Sequence, residues 1–188
     1  MDADSARVTL GYTPHLTPAS LAGYRTAWNV AARINEGKNM GRMARYADGV
    51  SYEGLIVPIG LEEGSGYSAC GMVFQAQEGD LALLDEREVN YDRVDVTEHI
   101  EWIAEPAPEE PYRVYTYVPK PASVAMLYDA ASIGMKAVVT KSYLDLLHGV
   151  AERYHHDTPL VIPAPHWQVH DIHLHPATSS RTALASRK

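Results

Sequence analysis

The chain has 188 residues, 46% of them hydrophobic and 21% charged, with a formal net charge of -8. That length suits one domain with a substantial core. The acidic balance and sixteen scattered Lys and Arg exclude the clustered cations that a nucleic acid or an anionic membrane surface requires, so neither is expected as a partner.

A single cysteine, Cys70, cannot close an internal disulfide, which fits a reducing, cytoplasmic setting. No apolar run reaches the length of a membrane span, and Met1-Asp2-Ala3-Asp4-Ser5 lacks a basic signal-peptide start. In chain order, Arg7 to Tyr12 reads as a buried first strand, cut off by Thr13-Pro14. Thr17-Pro18-Ala19-Ser20-Leu21 reads as a helix entrance, with Thr17 as N-cap and Pro18 at the first helical position. Tyr24 to Ala32 alternates weakly, as a strand would. Asn35 to Gly49 is rich in Gly, Asn and charge and reads as a long loop, either a lid over a pocket or plain disorder. Tyr52 to Leu61 is a predicted strand with an edge or bulge at Pro58. Glu62-Glu63-Gly64-Ser65-Gly66 reads as a turn, Ala69 to Ala76 as a strand and Asp80 to Leu84 as a short helix.

Asn90 to Thr97 and Tyr112 to Val118 give two more strands around a Pro/Glu-rich loop, 105–111. Ser123 to Met135 and Lys141 to Tyr154 read as amphipathic helices capped by Ser123 and Thr140. Residues 155–188 form a Pro-, His- and Ser-rich extension, partly flexible, beyond a folded domain of 1–154. Strands crowd the first two thirds and helices the last third, which predicts an α+β fold around a mixed or closed sheet.

The most informative stretch is Leu83-Leu84-Asp85-Glu86-Arg87-Glu88-Val89-Asn90-Tyr91-Asp92-Arg93-Val94. An apolar, helix-like run ends in an acidic cluster and hands over to an alternating strand, so Glu88 falls at the rim of a sheet, where polar groups can meet a ligand. Taken alone, an acidic residue of this kind more often lies on a solvated helix end. Leu-Asp-x-x-Glu followed by a Tyr and an Arg entering a strand resembles the signature of the gamma-glutamylcyclotransferase superfamily. Other parts fall in the family's order: Ala69-Cys70-Gly71-Met72-Val73-Phe74 before it, Tyr112-Arg113-Val114-Tyr115-Thr116-Tyr117-Val118-Pro119 after it, then Pro121-Ala122-Ser123, Tyr128, Gly134 and Tyr143-Leu144. The resemblance runs from Val8 to Leu147. It implies a small mixed β-barrel or sheet with flanking helices, and Glu88 as the catalytic acid/base.

The implied reaction is cofactor-free and metal-free, of the acyltransferase or lyase type. The alpha-amine of a gamma-glutamyl compound attacks its own side-chain carbonyl and releases 5-oxoproline and a free amine. Folding the substrate makes this step intramolecular, with an effective molarity of ~10⁵ M or more in favourable cases. One carboxylate can take the amine's proton and return it to the leaving amine. Asp85 then serves as a cap or hydrogen-bond partner. The family usually opens with Tyr-Gly-Ser-Asn-Leu, whose backbone N–H groups help hold the substrate. Here Tyr12-Thr13-Pro14-His15-Leu16 stands in its place, and Pro14 has no N–H to give. Tyr12 is a substrate-binding candidate or a core tyrosine with its hydroxyl at the surface. Thr13 and His15 could supply donors in place of the lost backbone contacts. Tyr117 resembles a late pocket tyrosine, with cross-strand packing as the competing role. The altered loop leaves two alternatives open: an amide-processing enzyme with a changed substrate, or a non-catalytic small-molecule-binding member of the fold.

Other constellations are weaker. His155-His156-Asp157 and His170-x-x-His173-x-His175 match no zinc spacing, so no metal is expected. Gly66-Tyr67-Ser68-Ala69-Cys70 misses the last glycine of a nucleophile elbow. Cys70 reads as a small buried thiol on a strand. Glycine-rich nucleotide motifs are absent.

Overall fold

The computed structural model describes residues 3–33, 42–103, 112–154, 162–163 and 165–176. Its strands and helices, in chain order, are α1 (Ala3–Leu10), β1 (Thr17–Ala27), β2 (Ala32–Arg33), β3 (Arg42–Tyr46), β4 (Leu55–Ile56), β5 (Gly60–Val73), α2 (Asp80–Arg87), β6 (Tyr91–Asp95), β7 (Ile100–Trp102), β8 (Tyr115–Pro119), α3 (Pro121–Ser132), β9 (Ala137–Thr140), α4 (Lys141–Tyr154), β10 (Gln168–His170) and β11 (Ile172–Pro176). The class is α+β, as the sequence predicts. Among the described residues the strands do not close into the expected barrel. They form sheets ordered β5-β1-β7 and β10-β9-β4-β2 and the pairs β11-β3 and β6-β8. Pro58 helps to divide the first two sheets. It cannot donate to a ladder, so pairing lapses between Ile56 and Gly60, and the chain leaves one sheet before entering the next.

Sheet β10-β9-β4-β2 is the centre of the molecule. β4 and β9 run parallel, as do β9 and β10, and a parallel strand is ordinarily covered on both faces. Successive side chains point to opposite faces. Leu55, Val57 and Val139 therefore pack with Trp28, Ala31, Leu127 and Ala130, while Ile56 and Val138 pack with Ala44, Tyr52 and Ile172 on the other side. A third cluster, Leu21, Val96 and Val114, lies beneath the β1–β7 edge.

Several elements differ from the sequence reading. Arg7 to Tyr12 is the end of a helix and the loop after it, not a strand. Gly11, at φ 79°, donates its N–H to Arg7 O (2.9 Å) and stops α1 in the left-handed conformation that glycine adopts freely. Thr17-Pro18 opens strand β1 and caps no helix, and Pro18 sits near the start of a strand, where a missing donor is tolerated. The 62–66 segment does not reverse the chain. Ala22 pairs with Ser68 but Tyr24 pairs with Glu63, so a wide bulge on β5 lies opposite Gly23 (φ 81°). Part of the predicted 35–49 loop is β3; residues 34–41 and the Pro/Glu-rich loop lie outside the described residues. The C-terminal extension supplies β10 and β11, so part of it belongs to the folded body. α3 starts at Pro121 after Lys120, and Ser123 is buried inside it rather than capping it. Thr140 does cap α4, its Oγ1 accepting the Tyr143 N–H at 3.3 Å.

Candidate functional site

Glu88 sits where α2 turns into β6. Gly79 (φ 89°) leads into the helix, and buried Asp80 fixes its start by accepting the Gln77 N–H (2.7 Å). Leu84 anchors the inner face of α2. At the other end the Glu88 N–H donates to Leu84 O, and the Glu88 carbonyl accepts the Tyr91 N–H, both at 2.9 Å. These two bonds hold the junction, so the Glu88 side chain is set by a rigid turn. That side chain is 21% exposed, and its Oε1 lies 3.3 Å from Arg87 Nε. Arg87 in turn donates from Nη1 to Thr9 Oγ1 (2.7 Å), which ties α1 to this end of α2.

Three tyrosines feel the Glu88 charge. Tyr91 on β6 donates its hydroxyl to Ile59 O (3.1 Å); burial pushes its phenol well above the usual range, and Tyr143 and Glu88 add to the shift. Tyr143, on the first turn of α4, is pushed up to about 12 by burial, with a backbone hydrogen bond at Ile59 opposing and Glu88 adding. Tyr117 on β8 is raised by burial first, then by its hydrogen bond to Asp85 Oδ1 (2.8 Å). Asp85 Oδ2 also pairs with Arg93 Nη1 at 3.2 Å. All three phenols are therefore neutral donors at ordinary pH. The cluster holds two carboxylate–guanidinium pairs, Glu88 with Arg87 and Asp85 with Arg93, and of the two carboxylates Glu88 is the more enclosed. Such a set can move a proton at the Glu88 carboxylate, while the single protons of the Tyr91 and Tyr117 hydroxyls are already given to Ile59 O and Asp85 Oδ1.

Tyr117 and Glu88 are thus brought into one cluster, with Asp85 as the hydrogen-bond partner the sequence suggested. The Tyr12–Leu16 loop is not. Tyr12 donates its hydroxyl to Asp80 Oδ2 (2.6 Å), and that bond is the main reason its phenol is raised. Asp80 begins α2 and Glu88 follows its end, so the helix, about 12 Å long, lies between them. Thr13 and His15 are exposed, Pro14 is buried and Leu16 half-buried. Sequence reasoning missed Arg87 and Tyr143 as members of the cluster. Tyr143 carried one signal, the Thr140 cap that fixes the first turn of its helix.

Elsewhere, a cleft of about 600 Å³ opens among β1, β5, β6, β8, α3 and the segment before β10. Trp28, Leu61, Val118 and Leu127 line its interior, with Glu63, Tyr128 and Trp167 among its other lining residues. Asn29 also lines it, donating Nδ2 to Leu61 O (3.2 Å), while its Oδ1 is a buried acceptor with no partner. An orphaned buried acceptor of this kind costs about 1–3 kcal/mol.

Among the described residues no three His, Cys, Asp or Glu side chains are grouped to hold a metal ion. His173 Nε2 lies 3.5 Å from Asp171 Oδ1, both side chains more than half exposed, and His170 stands edge-on to Tyr46; His155 and His156 lie outside the described residues. Cys70 is half-buried on β5. No described helix is long and apolar enough to cross a membrane. Comparison with protein-family models, with curated proteins and with solved structures found no match.

Proposed function

We propose that the protein is a divergent, gamma-glutamylcyclotransferase-like enzyme, with a small-molecule gamma-glutamyl amide as substrate and Glu88 as its acid/base. One observation carries this reading: Glu88 is held by a rigid turn, partly enclosed, next to Arg87 and under the electrostatic reach of Tyr91, Tyr117 and Tyr143. In the reaction the alpha-amine forms a C–N bond to the gamma-carbonyl carbon, and the bond to the leaving amine breaks. Glu88 takes the proton from the attacking nitrogen and gives it to the departing one. The Tyr143 hydroxyl donates to the carbonyl oxygen as charge gathers there, since those of Tyr91 and Tyr117 already donate to Ile59 O and Asp85. Arg87 holds the carboxylate in place. No step calls for a metal or a redox cofactor.

A second reading, binding without turnover, draws on the position of Tyr12–Leu16. If that loop held the substrate's alpha-carboxylate, it would do so from the far end of α2. The test incubates wild type and Glu88→Gln with a panel of gamma-glutamyl amines, including gamma-glutamyl amino acids and glutathione, and follows 5-oxoproline release. Gln keeps the size of Glu but cannot carry the proton, so kcat should fall by ~10²–10⁴-fold while KM changes little. Equal turnover by both proteins would clear Glu88 of the role. No turnover by wild type, together with saturable binding of a panel member, would favour the binding protein.

A further inference from the structure

The 600 Å³ cleft does not include Glu88, and the cyclotransferase reading makes no use of it. Its volume falls in the range of small-molecule sites, which are mostly apolar with a few placed polar groups. Leu61, Val94, Val118, Val124 and Leu127 supply the apolar surface. The polar groups share one character, because what they leave unsatisfied is negative or accepting.

Three observations establish that. Arg25, the one lining group that is always cationic (His166, the other basic group there, is charged only when protonated), is already committed: its Nη2 and Nε each lie 2.8 Å from Glu62 Oε2, and its guanidinium stacks 4.3 Å over the Tyr67 ring. Glu63, also in the lining, is a second carboxylate there, and Arg25 pairs with its neighbour Glu62 rather than with it. Asn29 has its amide nitrogen on Leu61 O, which leaves Oδ1 buried and short of a donor. Aromatic rings add to this field, since their faces are negative. Tyr24, Tyr128 and Trp167 all contribute to the lining. Two indoles are locked in place. Trp28 Nε1 donates to Pro163 O (2.7 Å) and Trp167 Nε1 donates back to Trp28 O (3.1 Å), so the segment before β10 is pinned against β1.

We propose that this cleft binds an organic ammonium ion carried on an apolar body. The body would cover the aliphatic surface, and the ammonium would lie between the Glu63 carboxylate and the ring faces, where cation–π attraction and charge act together. A carboxylate of the same shape would meet Glu63 and the ring faces with the wrong sign. A neutral alcohol would gain the apolar contacts alone.

The experiment titrates the full chain with 4-phenylbutylammonium, 4-phenylbutanol and 4-phenylbutyrate, following heat by calorimetry and indole fluorescence in parallel. The ammonium should saturate and bind roughly tenfold tighter than the alcohol, with the carboxylate weakest. Glu63→Gln should bring ammonium and alcohol close to equal, and Tyr128→Ala, at a residue 71% exposed and so dispensable for folding, should weaken the ammonium. An alcohol or carboxylate bound as tightly as the ammonium would overturn the proposal, as would no saturation by any probe, or an undiminished ammonium preference in Glu63→Gln. These readouts do not involve 5-oxoproline, and Glu88→Gln should leave them unchanged, so failure here is distinct from failure of the cyclotransferase reading.

Discussion

On the proposed reading Glu88 takes a proton and gives it back, and such a carboxylate needs neighbours that stay neutral. Tyr91, Tyr117 and Tyr143 are such neighbours, each raised chiefly by burial. The same burial makes the fold sensitive to alkali, and the sign can be worked out for Tyr143. In the unfolded chain its phenol titrates near 10.0, in the fold at about 12. Between those values the unfolded chain has lost a proton that the native state keeps. The Tyr143 contribution to stability is therefore constant below pH 10 and falls as pH rises from about 10 to about 12, by ~1.4 kcal/mol per pH unit. Tyr91 and Tyr117 act in the same direction. Tyr143→Phe removes one titrating group, so denaturant midpoints measured from pH 8 to pH 11.5 should decline less steeply than in wild type. Identical slopes would mean that Tyr143 titrates as an exposed phenol. At this scale Glu88, Asp85 and Tyr117 were legible, because a helix-to-strand handover and strand alternation are local. Arg87 and Tyr143 were not: what joins Tyr143 to Glu88 is the docking of α4, more than fifty residues along the chain.

Elements were legible where local and tertiary preferences agree. α4 matches its predicted limits, Lys141–Tyr154, because the Thr140 cap and the 3.6-residue apolar period agree. α1 and β1 came out reversed in type. The run Val8-Thr9-Leu10 is too short for periodicity to separate strand from helix, and Gly11 decides it as a helix stop. Thr17-Pro18 carries the chemistry of a helix start, but pairing with β5 and β7 on both sides overrides it. Ser123 shows the same competition. As an N-cap its hydroxyl would have served its own helix. Instead it is buried, donating to Ala31 O (2.9 Å) and accepting the Ala31 N–H (3.1 Å), which docks α3 on the chain between β1 and β2. Ser123→Ala would leave both backbone groups of Ala31 without that partner, at a cost of about 1–3 kcal/mol. A thermal midpoint lowered by several degrees is expected; a value within a degree of wild type would show that water or a shifted backbone replaces the hydroxyl.

At the scale of the whole molecule, the sequence divides at Tyr154 and the structure does not. The Pro-, His- and Ser-rich composition after Tyr154 reads as an extension because no helical period or long strand survives in it. Yet β10 adds to β9 in parallel, from Gln168↔Val138 to His170↔Thr140, and β11 pairs antiparallel with β3. Neither strand has enough apolar residues to fold alone, and both gain stability only by completing sheets made elsewhere. The residue that decides the matter is Ile172, fully buried against Ala44, Tyr52, Ile56 and Val138. It closes the face of the central sheet opposite Trp28 and Leu127. Ile172→Ala should therefore behave as a core truncation, with lost transfer energy plus a cavity, costing about 2–5 kcal/mol. Val169, three residues earlier and 41% exposed, is the matched control, and Val169→Ala should stay within about 1 kcal/mol. Urea unfolding of the two variants separates the cases. A large loss at Ile172 with a small one at Val169 makes the C-terminal strands part of the cooperative fold. Equal, small losses at both positions would mean that the segment is a detachable extension after all, and that Tyr52 and Ile56 keep their packing without it.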